Sequence, residues 1–222
     1  MNVAESPARV RGVFFDLDGT LADTVAALTA TLNEIFSRRG YPLVTEADTL
    51  RCINYGAREL VRRASPATCT DLEIDELFDE YLDCYRAHNL DTRRAYDGIV
   101  ELIAELRSRG VCCAVVTNKP HPMACELVES LLGGALDAVL GQSPDLPAKP
   151  DAAMAREVLG RLGLSPDETV YVGDSTVDVA FAHNSGMRFV GAGWGFFGKD
   201  KLVESGARDV ADHPLEILEY LK

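Results

Sequence analysis

Nowhere in these 222 residues is there an apolar run of the roughly 18 residues needed to cross a bilayer. The opening stretch from Met1 to Arg9 also lacks the apolar segment of a secretory signal. Positive charge is scarce: 22 Lys and Arg stand against 35 Asp and Glu, a net charge of −13. That balance excludes a general affinity for nucleic acid or for an anionic membrane surface. It also means that an anionic ligand needs locally placed Lys, Arg, backbone N–H groups or a metal. The six cysteines, at positions 52, 69, 84, 112, 113 and 125, form no C-x-x-C pair and no zinc spacing. Cys112 and Cys113 fall inside an apolar run, and a reducing cytoplasm is the expected location. There is no internal repeat and no low-complexity tract. What remains is an ordinary globular composition, 47% hydrophobic and 26% charged, long enough for one large domain or a core with a smaller insert.

The most informative stretch is Phe14-Phe15-Asp16-Leu17-Asp18-Gly19-Thr20-Leu21-Ala22-Asp23-Thr24. It follows a short β-prone run (Val10, Val13, Phe14, Phe15) that suits a strand buried on both faces. Two carboxylates at the end of such a strand are out of place in a core, and period two points Asp16 and Asp18 the same way. Gly19 lets the chain turn, and Asp23 or Thr24 can cap the following helix. In open α/β sheets the carboxyl ends of strands are where ligands bind. A carboxylate pair there can hold a hard cation, attack a substrate and move protons. Asp18-Gly19 alone is equally an ordinary turn.

From about residue 23 to 92 the pattern is helical throughout. Val25, Leu28, Leu32, Ile35 and Phe36 mark one face, a second helix starts near Gly56-Ala57-Arg58, and a third follows Asp71. From Asp97 onward, helices alternate with strands at 111–116, 138–140, 169–172 and 188–190, and a terminal helix carries Leu215, Ile217, Leu218 and Leu221. Strand-helix-strand repetition predicts parallel strands, right-handed crossovers and a doubly wound sheet. The expected organisation is an α/β core from residues 1–22 and 93–222, with an all-helical module inserted at 23–92.

Three further polar clusters sit at element boundaries. Thr117-Asn118-Lys119-Pro120 ends a strand; a Thr hydroxyl, backbone N–H groups and Lys119 suit phosphate oxygens, although Thr-Asn also suits a helix cap or turn. Lys149-Pro150-Asp151 precedes a helix, and its lysine either bridges carboxylate and phosphoryl charge or is simply solvated. Gly173-Asp174-Ser175-Thr176-Val177-Asp178 follows a strand; Asp174 and Asp178 either complete an oxygen site for Mg²⁺ or serve the helix start.

In order and context, the four clusters resemble motifs I to IV of the haloacid dehalogenase-like hydrolases, whose phosphatase members begin Asp-x-Asp-Gly-Thr-Leu-x-Asp-Ser; Thr24 stands here in place of the Ser. The resemblance spans at least Val10 to Val190 and implies a Rossmann-like core with a type-one helical cap. It implies Asp16 as nucleophile, Asp18 as acid and base, and Thr117 and Lys149 as catalytic partners. Phosphate would be held by Gly19, Thr20, Asn118 and Lys119, and Mg²⁺ by Asp16, Asp18 (through its carbonyl) and Asp174, with Asp178 beside them. Asp18 argues against a dehalogenase, and the absence of a His soon after Thr24 argues against a β-phosphoglucomutase-like isomerase. Thr117-Asn118-Lys119-Pro120, Lys149-Pro150 and Gly193-Trp194-Gly195 look most like phosphoglycolate phosphatases, although Ala152 replaces an expected Pro. The implied substrate is therefore a small phosphorylated metabolite, 2-phosphoglycolate first. Pyrophosphate, a sugar phosphate or a nucleotide are alternatives, as is a non-catalytic phosphate binder. Arg58, at a helix start beside Asn54-Tyr55-Gly56, is the candidate receptor for a substrate carboxylate, or else a solvated helix residue. Monomer and homodimer both remain open.

Overall fold

The structure is a computed structural model that describes residues 9–88 and 94–221. Its centre is a six-stranded parallel sheet in the order β5-β4-β1-β6-β7-β8. These strands are β1 (Gly12–Phe15), β4 (Cys112–Pro120), β5 (Ala138–Gln142), β6 (Thr169–Gly173), β7 (Arg188–Ala192) and β8 (Val210–Ala211). From β1 the chain builds outward through β4 to β5, then returns to the far side of β1 and builds outward again. The reversal leaves β1 between β4 and β6, paired with both in parallel. Such a switch point opens a crevice at the strands' carboxyl ends.

Period two divides the core into layers. Val13 and Phe15 face one apolar cluster with α5 (Ile99–Ser108) and α6 (His121–Leu132). Phe14 faces the other, with Met154, Ala155 and Val158 of α7 (Ala153–Leu162) and Phe181 of α8 (Thr176–Ser185). This is the doubly wound α/β fold that the sequence predicts.

In chain order, four helices follow β1 before the next sheet strand: α1 (Val25–Arg39), α2 (Glu46–Leu50), α3 (Ala57–Ala64) and α4 (Asp71–His88). They enclose a cluster of their own, including Leu32, Phe36, Val61, Leu77 and Tyr81, into which Met123 of α6 also projects. Several short elements depart from the sequence reading. The helical stretch is flanked by a two-stranded antiparallel ribbon, β2 (Ala22–Asp23) with β3 (Arg94–Ala95). Two-residue strands are too short to show alternation. α2 was not expected, yet Thr45 and Asp48 form a reciprocal capping box at its start. The sequence pattern does not predict α9 (Gly198–Glu204) or β8 either, and the terminal segment Pro214–Leu221 is a 3-10 helix. The expected boundary at 92/93 lies outside the described residues.

Candidate active site

The ends of β1, β4 and β6 converge on a cavity that is open at its mouth. Asp16, Asp18, Thr117, Asn118, Lys119, Lys149 and Ser175 supply its polar lining, and Leu28, Ile53, Ala57, Leu60, Tyr81, Met123 and Val177 its apolar wall.

Asp16 is 5% exposed, and its N–H extends the β1–β6 ladder by donating to the carbonyl of Val172 at 2.9 Å. After it the chain turns sharply. The N–H groups of Leu21 and Ala22 both reach the Leu17 carbonyl at 3.0 Å, and Gly19 adopts φ +83°. A Cβ at Gly19 would lie 2.4 Å from Asp174 Oδ2, so only glycine lets the two segments approach. Trp194 secures the turn from outside, its indole N–H donating to the Thr20 carbonyl at 2.9 Å.

Lys149 Nζ lies 2.8 Å from Asp16 Oδ1 and 2.8 Å from Asp178 Oδ1. It also donates to the Tyr171 hydroxyl at 2.9 Å, and that hydroxyl donates its own proton to the Val116 carbonyl at 2.8 Å. The contact with Asp16 is an ion pair without hydrogen-bond alignment; Asp16 Oδ1 has no hydrogen-bond partner among the described residues. Burial would push the Lys149 ammonium towards neutrality, but Asp16 and Asp178 together hold its pKa above the ordinary lysine value. Burial pushes Asp16 up to about 6, with Asp178 and Asp18 adding to the rise and Lys149 opposing it. Asp174, fully buried, is pushed well above the carboxylate range by burial first and then by Asp178 and Asp16.

Asp18 is held from two sides. The Thr24 hydroxyl donates to its Oδ1 at 2.7 Å, and Lys119 Nζ reaches both carboxylate oxygens at 3.0 Å. Lys119 is buried and also lies 4.6 Å from the centre of the Tyr85 ring of α4. Thr117 Oγ1 accepts the Lys119 N–H at 3.3 Å, leaving its own proton for the cavity.

One ligand atom from each of Asp16, Asp174 and Asp178 falls within 4.8 Å of the others. Three buried carboxylates, two of them paired with the Lys149 ammonium, with an Asp16 oxygen accepting no hydrogen bond, form a donor set suited to a hard divalent cation. Asp178 has little left to give. Its Oδ1 serves Lys149, and its Oδ2 accepts from the Ser175 N–H and hydroxyl at 3.1 and 2.6 Å.

A family model for haloacid dehalogenase-like hydrolases matches residues 13–192. The chain belongs to the haloacid dehalogenase-like hydrolases. Among curated relatives, an N-acetylmuramic acid 6-phosphate phosphatase of Pseudomonas aeruginosa is 32% identical over 96% of this chain and 95% of its own length. A phosphoglycolate phosphatase of Agrobacterium fabrum is 33% identical over 82% of this chain and 80% of its own. A crystal structure from Lactobacillus delbrueckii subsp. bulgaricus, provisionally named a phosphoglycolate phosphatase, has a TM-score of 0.88 at 30% identity, covering 96% of this chain and 99% of that one.

Within this haloacid dehalogenase-like fold, Asp16, Asp18, Thr117, Asn118, Lys119 and Lys149 share the cavity lining. Gly19, Thr20, Asp174 and Asp178 stand behind it. The Thr20 hydroxyl donates to Asp174 at 3.4 Å, and Asp174 also accepts the Phe196 N–H at 2.9 Å. Arg58 is not brought in. Its side chain is 41% exposed and pairs with Asp75 of α4 at 2.6 Å, outside the cavity lining. Two expectations at helix starts need correction. Thr24 occupies the N-cap position of α1 but makes no cap hydrogen bond, because its hydroxyl is committed to Asp18. The cap of α8 is Ser175, in a reciprocal box with Asp178, and not Asp174.

Sequence reasoning missed Tyr171 and the role of Thr24. A tyrosine inside Val170-Tyr171-Val172 is a usable signal, since a buried hydroxyl needs a partner.

Proposed function

We propose that this protein is a Mg²⁺-dependent phosphomonoesterase that works through an aspartyl-phosphate on Asp16. The observation that carries the reading is the pairing of Asp16 with Asp18 across one cavity. Asp16 is braced by Lys149 with a carboxylate oxygen free of hydrogen bonds, and Asp18 is oriented by Thr24 and Lys119. In the first step an Asp16 oxygen bonds to phosphorus while the ester P–O bond breaks, and the departing alkoxide takes a proton from Asp18. In the second, water attacks phosphorus and gives its proton to the Asp18 carboxylate, releasing phosphate and restoring Asp16. Lys119 and Thr24 hold the Asp18 carboxyl group facing the cavity for both transfers. Thr117 and the N–H of Asn118 would hold phosphoryl oxygens. Asp16, Asp174 and the carbonyl of Asp18 would hold the metal, which supplies the positive charge that lets an anionic nucleophile approach an anionic phosphate. Asp178 then serves to hold Lys149.

The helices α1 to α4 would act as a cap over the core, and their residues supply most of the apolar wall. The substrates named for the two curated relatives, phosphoglycolate and N-acetylmuramic acid 6-phosphate, are both phosphomonoesters of carboxylic acids. A small phosphorylated acid is therefore the substrate class, with 2-phosphoglycolate first. The bulkier sugar-acid phosphate is a second reading, supported by the relative that carries that name and matches 96% of this chain. The six unpaired cysteines fit a reducing cytoplasm. Among the described residues no helix is long and apolar enough to cross a membrane.

The test is kcat/KM with Mg²⁺ for 2-phosphoglycolate, N-acetylmuramic acid 6-phosphate, glucose 6-phosphate, pyrophosphate, AMP and ethyl phosphate. Preference for either acid over ethyl phosphate supports the class. Equal rates for all six would remove the substrate assignment, and no turnover of any would favour a phosphate-binding protein.

A further inference from the structure

Asn118 is 5% exposed and spends its amide on main-chain groups from two distant segments. Its Oδ1 accepts the Lys149 N–H at 2.8 Å, and its Nδ2 donates to the Lys149 carbonyl at 3.0 Å. The second Nδ2 proton goes to the carbonyl of Asn54, also at 3.0 Å, in the loop between α2 and α3. The amide has only one workable orientation, since flipping it would set an NH₂ against an N–H and an oxygen against two carbonyls.

The far side of this clasp is specialised as well. Asn54 has φ +88°, in the left-handed region that costs a non-glycine residue roughly 1 kcal/mol or more. Two residues on, Gly56 presses against the core at Gln142, where a Cβ would come within 2.5 Å of Oε1. The loop is thus seated on two core amides, Asn118 and Gln142. On the near side, the residue that Asn118 grips at both ends is Lys149, whose ammonium pairs with Asp16 and Asp178.

We infer that the Asn118 side chain is a positioning residue that ties the seating of the 53–56 loop to the placement of Lys149 against Asp16. The inference rests on the phosphatase reading for its effect on rate, but the physical coupling stands apart from it. Aspartate in its place would keep the acceptor for the Lys149 N–H but set oxygens against two carbonyls. Serine would be too short to span both segments.

The experiment is hydrogen exchange by mass spectrometry on the full-length protein with Mg²⁺ and no substrate, comparing wild type with Asn118→Asp, Asn118→Ala and Gly56→Ala. Peptides covering 50–57 and 147–152 should both exchange about tenfold faster in the Asn118 variants, with 169–173 unchanged. Gly56→Ala, which leaves Asn118 intact but strains the loop at φ +91° and crowds the Gln142 side chain, should loosen 147–152 as well. With p-nitrophenyl phosphate, Asn118→Asp should lower kcat by about tenfold or more, with KM within about threefold. Unchanged exchange at 50–57, loosening of only one of the two segments, or a rise in KM at constant kcat would each overturn the inference. If both Asn118 variants fail to fold, Gly56→Ala decides it: tight 147–152 peptides would count against the coupling. A protein inactive on every phosphoester would fail the functional reading while leaving the exchange result to stand or fall alone.

Discussion

Replacing Asp174 with asparagine should make the metal-free protein more stable while destroying its activity. Asparagine keeps both contacts: its oxygen can accept the Phe196 N–H, and its NH₂ can donate to Thr20, whose hydroxyl rotates to accept. What it removes is a carboxylate that burial, Asp178 and Asp16 push well above its ordinary value of 3.8. Each unit of that rise weakens folding by about 1.4 kcal/mol, because the unfolded chain gives up the proton more readily than the folded one. The sign follows directly. With the folded pKa raised, the penalty is absent below the unfolded value and grows as pH climbs towards the folded one. At any pH it is capped by the distance from 3.8, about 5 kcal/mol at pH 7.5 and about 1.6 at pH 5.0. A gain of about 2 kcal/mol at pH 7.5 corresponds to roughly 4–8 °C in Tm for a chain of this size. Thermal unfolding in EDTA at pH 7.5, 6.0 and 5.0 measures it. The variant should lead at pH 7.5, lead by no more than about 1.6 kcal/mol at pH 5.0, and gain far less from Mg²⁺ than wild type does. A variant no more stable than wild type in EDTA at pH 7.5, or a gain independent of pH, would refute the reasoning.

Asp16→Asn should reduce turnover below detection with the fold intact by circular dichroism, since a carboxamide cannot form the acyl-phosphate; activity within about tenfold of wild type, about 1.4 kcal/mol, would end that mechanism. Thr24→Val preserves shape but takes from Asp18 one of its two holders, so kcat should fall about tenfold at nearly constant KM; a change under twofold would make the contact incidental. Arg58→Ala should leave KM for 2-phosphoglycolate within about twofold, because an exposed pair with Asp75 contributes little and lies off the cavity. A large, substrate-selective rise in KM would instead show that Arg58 leaves Asp75 to reach the ligand.

The parts legible in the sequence are those where burial and chemistry disagree in a short window. Val13-Phe14-Phe15 reads as a strand because both faces are covered, and Asp16 directly after it reads as functional because the core has no other use for it. Thr117 and Asp174 read the same way, at the ends of buried runs, whereas Lys149 sits in a Pro-rich connection before a helix and is singled out only by its place in the order of the motifs. Arg58 shows where that method stops. A helix start indicates where N–H groups point but not which way a long side chain turns, and Asp75 on α4 lies 17 residues further on. Thr24 was misassigned for a related reason: its capping position is local, while its partner Asp18 is fixed by the turn at Gly19. Asn118 suited a cap or a phosphate contact, and nothing in its neighbourhood indicated a hold on Asn54, 64 residues away.

The charges at the site also bear on why the proposed cation would suit it. Asp16, Asp18, Asp174 and Asp178 meet two ammonium groups, and both are already engaged: Lys149 with Asp16 and Asp178, Lys119 with Asp18. Neither lysine offers an uncommitted charge to an arriving phosphate, and the −13 of the whole chain gives no attractive background field. A dianionic ester entering this cavity therefore adds to an existing excess of negative charge, in surroundings that already push Asp16 up to about 6. The Thr117 hydroxyl and main-chain N–H groups supply dipoles, which orient a phosphoryl group without cancelling its charge. A divalent ion beside Asp16 and Asp174 would offset that excess and lower the cost of keeping both carboxylates ionised. The burial and repulsion that make Asp174 costly to ionise are in this sense the same electrostatic demand that a bound cation would meet.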